Sequence, residues 1–254
     1  MKVISSRDNQ HIKNCLKLKQ KKYRDDTKLY VVEGQRIYDE VTTYSSHSIK
    51  QVFVVETEVA KYNFTSLSAD IFIINDKLMQ EISDTTSPSG ILAILEKPIW
   101  DIETVKQEGK LLVLLDNIAD PGNVGTIIRT SAAFDVDGLF LNKGCVDPYN
   151  HKVVRATMGG ILHLPIFANI TISDILDFKN AGYMLVGTSL DNAINYYEYD
   201  FTSPTILVIG SEAFGISLEL LNKCDKLVKI PINPAMDSLN AGVACGIILS
   251  EARK

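Results

Sequence analysis

The chain has 254 residues, 46% of them hydrophobic, and a formal charge of −5 at pH 7, which is ample apolar material for a core in one or two domains. No apolar run approaches the roughly 20 residues that span a bilayer, and the start MKVISSRDNQHIKN lacks the apolar centre of a signal peptide, so a cytoplasmic protein with no membrane partner is expected. Cys15, Cys145, Cys224 and Cys245 are scattered, with no CxxC and no neighbouring His pair, which argues against a zinc site and against a disulfide framework; no metal is expected.

The acidic balance argues against nucleic-acid binding through bulk charge alone. Its distribution is uneven, because residues 1–28 carry nine Lys or Arg against three Asp, a local +6 that leaves −11 on the rest. Such an arm is suited to gripping the phosphates of a nucleic acid, with Lys13, Lys17, Lys19, Lys21, Lys22 and Arg24 as the candidate contacts. The plainer reading is a solvated helix face.

In chain order, Asn9 to about Lys22 reads as a short helix with Ile12, Cys15 and Leu16 on its apolar side. Strand-like Tyr30 to Val32, a helix from about Gln35, strands Val52 to Val55 and Ile71 to Ile74, a helix Asp76 to Ile82 and a strand Ile91 to Leu95 follow. This predicts a small α/β domain over residues 1–95. Charged residues with Pro98 and Gly109 mark a linker over 96–110. The second domain, 111–254, opens on the aliphatic run Leu111 to Leu115, a strand covered on both faces as in a parallel sheet. Turn residues Asp120-Pro121-Gly122-Asn123 then start a helix with Asn123 as its expected cap. In that helix Val124, Ile127, Ile128 and Ser131 share the face laid on the sheet, and Arg129 points away. Further strands are expected at Gly138 to Leu141, Leu164 to Phe167, Tyr183 to Gly187, Thr205 to Ile209 and Leu227 to Ile230. Helices are expected near Lys152, over Ile172 to Asn180 and from about Ser238, the last with Leu239, Val243 and Ile247 as its packed stripe. Strands alternating with helices imply a mostly parallel sheet.

Three stretches share one pattern of buried strand, small or Pro/Gly-containing loop, then helix: Leu111 to Arg129, Ile206 to Ile216, and Val228 to Ile248. In an open α/β sheet such loops gather where ligands bind. Gly210 would let the backbone approach a ligand, and Glu212 places a carboxylate just past a strand. Taken singly, Ser238 reads as a helix cap and Glu212 as a first-turn dipole partner. No GxGxxG and no GxxxxGK[ST] is present, which disfavours a Rossmann-like oxidoreductase or a P-loop.

Together these stretches closely resemble the motifs of the SpoU/TrmH family of SPOUT RNA methyltransferases. Asn123 and Arg129 match its first motif, Gly210-Ser211-Glu212 its second, and Ile230-Pro231 with Ser238-Leu239-Asn240 its third; Arg155 to Gly159 fits a further family segment. The chain departs from the family at Ala213-Phe214 and at Ala241-Gly242. The resemblance implies an α/β fold with a C-terminal trefoil-knotted, mostly parallel sheet, an exception to the rule against threaded chains, preceded by a small substrate-binding domain. It implies S-adenosylmethionine as cofactor, held around Thr188, Ser189, Ile209, Gly210, Ile230, Pro231, Ser238 and Leu239, in a homodimer that completes the site. It also implies methylation of the ribose 2′-hydroxyl of RNA, with 23S ribosomal RNA favoured over transfer RNA because transfer-RNA members often lack the first domain. Asn123, Arg129, Glu212, Ser238 and Asn240 are the implied catalytic set, with Arg129 stabilising a developing alkoxide or acting as base. The alternatives are a transfer-RNA methyltransferase and a non-catalytic knotted factor that binds RNA.

Overall fold

The protein, a computed structural model that describes residues 1–44, 49–65 and 67–254, divides into two units. One is Met1–Ile99 with Tyr149–Leu162, the other Trp100–Pro148 with His163–Lys254. The first begins β1 (Lys2–Val3), α1 (Gln10–Lys17), α2 (Lys21–Thr27), β2 (Leu29–Glu33), α3 (Gln35–Tyr44), β3 (Ile49–Val55), β4 (Asp70–Ile74), α4 (Asp76–Ile82) and β5 (Ile91–Glu96). Its sheet is mixed, in the order β1-β4-β3-β5-β2, with β5 antiparallel to both neighbours. Ile12, Cys15 and Leu18 pack with Phe53, Phe72, Leu78 and Met79 in its core.

The helix expected from Asn9 to Lys22 is two helices. Asn9 caps α1 by accepting from the His11 N–H. The break after Lys17 is stabilised by Arg24, which is 3% exposed and donates to the carbonyls of Leu18 and Lys19 at 2.7 and 2.9 Å. A cationic donor there satisfies carbonyls that a helix end leaves free.

The chain continues α5 (Ile102–Glu108), β6 (Leu111–Asp116), α6 (Pro121–Ala133), β7 (Gly138–Asn142), α7 (His151–Ala156), β8 (Ile166–Ile170), α8 (Ile172–Asn180), β9 (Met184–Thr188), β10 (Ile194–Asn195), β11 (Thr205–Gly210), α9 (Leu218–Leu221), β12 (Lys226–Lys229) and α10 (Ala241–Ala252). Except for α7, these build the second unit around a parallel sheet in the order β10-β12-β9-β11-β6-β7-β8. β6 is buried along its whole length, as its lack of alternation requires. Val124, Ile127, Ile128 and Ser131 are all buried on the inner face of α6.

The structure departs from the sequence-based expectations at several points. The stretch taken as a linker holds α5, capped by Asp101, with Ile102 and Val105 against the core of the second unit. β8 begins at Ile166 rather than Leu164 and continues into exposed residues because it is an edge strand, where hydrophobicity marks only the covered part. α10 begins at Ala241, because Asn240 and not Ser238 caps it. Its packed face is Ala241, Cys245, Ile248 and Leu249, whereas Val243 is 50% exposed. The units also interleave in sequence, unlike a division at 96–110: residues 149–162 fold with the first unit, where α7 lies on β2. There Arg155 donates to the Asp84 carbonyl at 3.3 Å and His151 faces the Asp84 carboxylate at 3.4 Å.

The four cysteines are free thiols. Burial pushes Cys145 and Cys224 up to about 11 and Cys15 and Cys245 up to about 12, so none is a ready nucleophile at neutral pH.

Candidate active site

Strand register assembles the site. Pairing of β11 with β6 sets Gly210 beside Asp116, pairing with β9 sets Val208 beside Gly187, and Val228 of β12 lies beside Thr188. Because every strand runs the same way, their carboxyl ends and the loops that follow share one edge of the sheet.

The loop after β11 is a tight, self-bonded turn. Ser211 N–H donates to the Gly215 carbonyl at 3.1 Å and Gly215 N–H returns to the Ser211 carbonyl at 2.8 Å, while the Phe214 N–H reaches Ser211 Oγ at 3.3 Å. Gly215 has φ +66°, the left-handed region that suits glycine. A Cβ on Gly210 would stand 2.2 Å from the carbonyl carbon of Gly215. Gly210 is therefore required by the chain's own return, whether or not a ligand lies against it.

Beneath this turn lies Asp116, fully buried. Its Oδ1 accepts from the side-chain amides of Asn117, at 2.8 Å, and Asn142, and its Oδ2 from the Ser217 N–H at 2.6 Å. A buried carboxylate is tolerable only when so satisfied, and this one ties the end of β6 to the end of β7 and to the segment entering α9.

At the rim a hydrogen-bonded chain joins the three motif stretches. Asn240 caps α10, its Oδ1 accepting from the N–H groups of Gly242 and Val243 at 3.0 and 3.2 Å. That leaves its amide nitrogen to donate to Asn123 Oδ1 at 2.7 Å. Asn123 in turn donates through Nδ2 to Glu212 Oε1, which also accepts from the Ala241 N–H at 3.3 Å. Both amide orientations follow from the two backbone donors that fix Asn240. Glu212 also sits at the N-terminus of α10, where the helix dipole favours an anion. Asn123 is thus not the cap of α6: Asp120 caps it, accepting from the Asn123 N–H at 2.8 Å with Pro121 in the first helical position, and the Asn123 side chain is released for the rim. Gly242 lets α10 approach α6, since a Cβ there would meet Thr126 Cγ2 at 2.8 Å.

A cavity of about 420 Å³ opens at this edge, within the usual range of small-molecule sites. Thr188, Ser189, Ile209, Gly210, Glu212, Ile230, Ser238 and Leu239 line it, while Pro231, Asn123, Asn240 and Arg129 do not. The sequence reading missed Asp191 and Asp237 in the lining and noted Phe214, also there, only as a departure from the family, and it passed over Asp116 as the mere end of a strand; an acidic residue closing an all-buried strand was the available signal. S-adenosylmethionine, the cofactor implied by the sequence, fits this donor set. Ile209, Ile230 and Leu239 offer apolar surface to a flat base, Asp191, Glu212 and Asp237 bring carboxylates for a cationic sulfonium and ammonium, and Lys229 brings one cation for a carboxylate.

Arg129 is exposed on α6, with no hydrogen bond or ion pair among the described residues; one chain does not bring it to the rim. The basic arm divides. Arg24 is committed to the carbonyls between α1 and α2, and Lys19 donates to the carbonyls of Glu81 and Ser83 and pairs with Asp84 at 3.0 Å. Both are tied inward, a correction to their reading as RNA contacts. Lys13 pairs with Asp8 at 2.9 Å on the surface, Lys17 lies over the Tyr23 ring, and Lys21 and Lys22 are exposed at the start of α2.

Fold and site together define an α/β protein with a cofactor-sized cavity at the carboxyl edge of a parallel sheet, rimmed by an amide–carboxylate chain. Residues 110–250 match the SpoU rRNA Methylase family and residues 9–93 the MRM3-like substrate binding domain, and the chain belongs to the SpoU rRNA Methylase family. The 23S rRNA (guanosine(2553)-2′-O)-methyltransferase RlmP of Bacillus subtilis is 29% identical over 253 residues, the full length of both chains. The 23S rRNA (uridine(2479)-2′-O)-methyltransferase of Streptomyces viridochromogenes is 33% identical over 195 residues, 74% of this chain and 68% of that one. The AdoMet-bound rRNA methyltransferase from Sinorhizobium meliloti superposes with a TM-score of 0.89 at 31% identity, over 99% of this chain and 97% of that one.

Proposed function

We propose that this chain transfers a methyl group from S-adenosylmethionine to a ribose 2′-hydroxyl of 23S ribosomal RNA in the cytoplasm. The observation that carries the reading is the Asn240–Asn123–Glu212 chain, which joins all three motif stretches at the mouth of a cavity suited to the cofactor. The cofactor supplies a methyl group already activated on a sulfonium, so what is needed from the protein is alignment and stabilisation of the alcohol. Glu212 and Asn240 hold the Asn123 amide in one orientation and so fix where the ribose sits. Arg129 meets the charge that grows on the oxygen as the hydroxyl proton leaves and can grip the adjoining phosphate bidentately. A guanidinium stays protonated, so this role is electrostatic. A homodimer completes the site, supported by the exposure of Val243 on α10 and by an Arg129 with no partner among the described residues. The passage from β12 through residues 230–240 into α10 is where the knot implied by the family is expected, and Lys13, Lys17, Lys21 and Lys22 are proposed as the phosphate contacts.

Mapping of ribose methylation in RNA from cells with and without this chain tests the reading. One 2′-O-methyl in 23S ribosomal RNA should vanish with it. Loss confined to transfer RNA would move the substrate, and an unchanged map would support a binding factor without catalysis.

A further inference from the structure

We propose that Phe214 is a stacking platform for a nucleobase of the RNA whose ribose the Asn123–Glu212–Asn240 rim receives, an inference that rests on the proposed methyl transfer to RNA. Phe214 is 91% exposed, and a lone exposed apolar side chain needs no explanation by itself. Its setting does. The ring is carried by the turn whose ends are bonded twice to each other, whose own N–H is held by Ser211 Oγ, and whose return is packed on the bare Cα of Gly210. The backbone that presents the ring is therefore ordered before anything binds, which lowers the entropy lost on contact.

The same turn carries Glu212, two residues away and so within about 7 Å along the backbone. A base is one glycosidic bond from its ribose, so a ribose at Glu212 brings its own base or an adjacent one to Phe214. Ser211 to Gly215 contain one carboxylate and no cation, which disfavours a phosphate at this turn and leaves the π-face of a base as the matching surface. Phe214 borders the cofactor cavity, but at 91% exposure most of the ring is left in solvent, where a base can reach its face. Stacking on an aromatic side chain is worth about 1–3 kcal/mol per base and tolerates any base.

The test uses the full chain with unmodified 23S ribosomal RNA, tritiated S-adenosylmethionine, and the variants Phe214→Ala, Phe214→Leu and Phe214→Trp. Phe214→Ala should raise the RNA KM about 5- to 150-fold, the fold-change equivalent of that stacking energy, with cofactor affinity by calorimetry unchanged within about twofold. Leu should do as poorly as Ala despite its apolar area, and Trp should restore the wild-type KM. An unchanged KM in Phe214→Ala, or full activity in Phe214→Leu, overturns the proposal. Weakened cofactor binding would make the ring a cofactor cover, and a changed sedimentation mass would make it a contact between copies; either also overturns it. Absence of methyl transfer by the wild-type chain would refute the proposed function separately. Stacking is then read from quenching of a 2-aminopurine-labelled single-stranded RNA, which should occur with the wild-type chain and be lost in Phe214→Ala; no quenching by the wild type overturns it.

Discussion

The two units use polar side chains in opposite ways. In the first, three of the basic-arm cations turn inward or pair locally: Arg24 caps the end of α1, Lys19 holds the carbonyls of Glu81 and Ser83, and Lys13 pairs with Asp8. In the second, Asn123 meets Glu212 and Asn240, which lie 89 and 117 residues further along the sequence, at one rim. Topology accounts for the difference. A parallel sheet sends all its strand ends to one edge, whereas the first unit's mixed sheet reverses β5 between β3 and β2 and splits its loops between two edges. Charge counted along a sequence cannot tell a group that holds its own fold from one that faces a ligand.

The largest effect should come from breaking the floor of the second unit. Asp116→Ala leaves the amides of Asn117 and Asn142 and the Ser217 N–H without their buried acceptor, and chemical denaturation should show a loss of about 3 kcal/mol or more. At the proposed site, Arg129→Ala should lower turnover by about 10²-fold, with cofactor affinity unchanged. Arg129→Lys should rescue poorly, because a point charge does not reproduce the planar fork; disappearance of cofactor binding on calorimetry would move the residue out of this role.

Smaller effects sharpen the contrast in the first unit. Arg24→Ala should destabilise the protein by about 2 kcal/mol, since hydrogen bonds from a charged donor are lost in a buried place, and leave the salt dependence of RNA binding as it was. Lys21→Ala with Lys22→Ala should do the reverse: stability within about 0.5 kcal/mol of wild type, and a log–log salt slope shallower by about 0.7 to 0.9 per contact removed. The smallest effect concerns His151, whose imidazole burial holds below its usual 6.5 against the opposing pull of Asp84. The unfolded chain therefore takes up this proton first. The stability it contributes is full above pH 6.5 and lost as pH falls through the lower folded value. Denaturation midpoints at pH 7.5 and 5.5 should lie closer together in His151→Asn than in wild type.

Much of the second unit was legible because its signals are local. Leu111 to Leu115 reads as buried without a partner in view, and the spacing of Val124, Ile127, Ile128 and Ser131 gives the packed face of α6 directly. The rim was legible only as motif residues, because its geometry depends on which strands are neighbours. Asn123 looked like a cap since its residue type suits one; Asp120 had the same credentials, and only the structure shows which holds the backbone. The segment 149–162 announces a helix through Asn150 and the pair Val153-Val154, yet nothing local says which sheet covers it. A chain cut at Trp100 would therefore strip cover from Val153, Val154, Ile161 and Leu162, so the two units are not separable at that point as the composition suggests.

The central claim is that the rim built by Asn123, Glu212 and Asn240 aligns a ribose hydroxyl for methyl transfer. Tritiated S-adenosylmethionine, unmodified 23S ribosomal RNA and the full chain, followed by nuclease digestion to nucleosides, test it directly. The account predicts label on the ribose 2′-oxygen of one nucleotide with the wild-type chain, and at least about a 10²-fold lower rate in Glu212→Ala with the fold intact by circular dichroism. Label on a base, or an undiminished rate in Glu212→Ala, would contradict it.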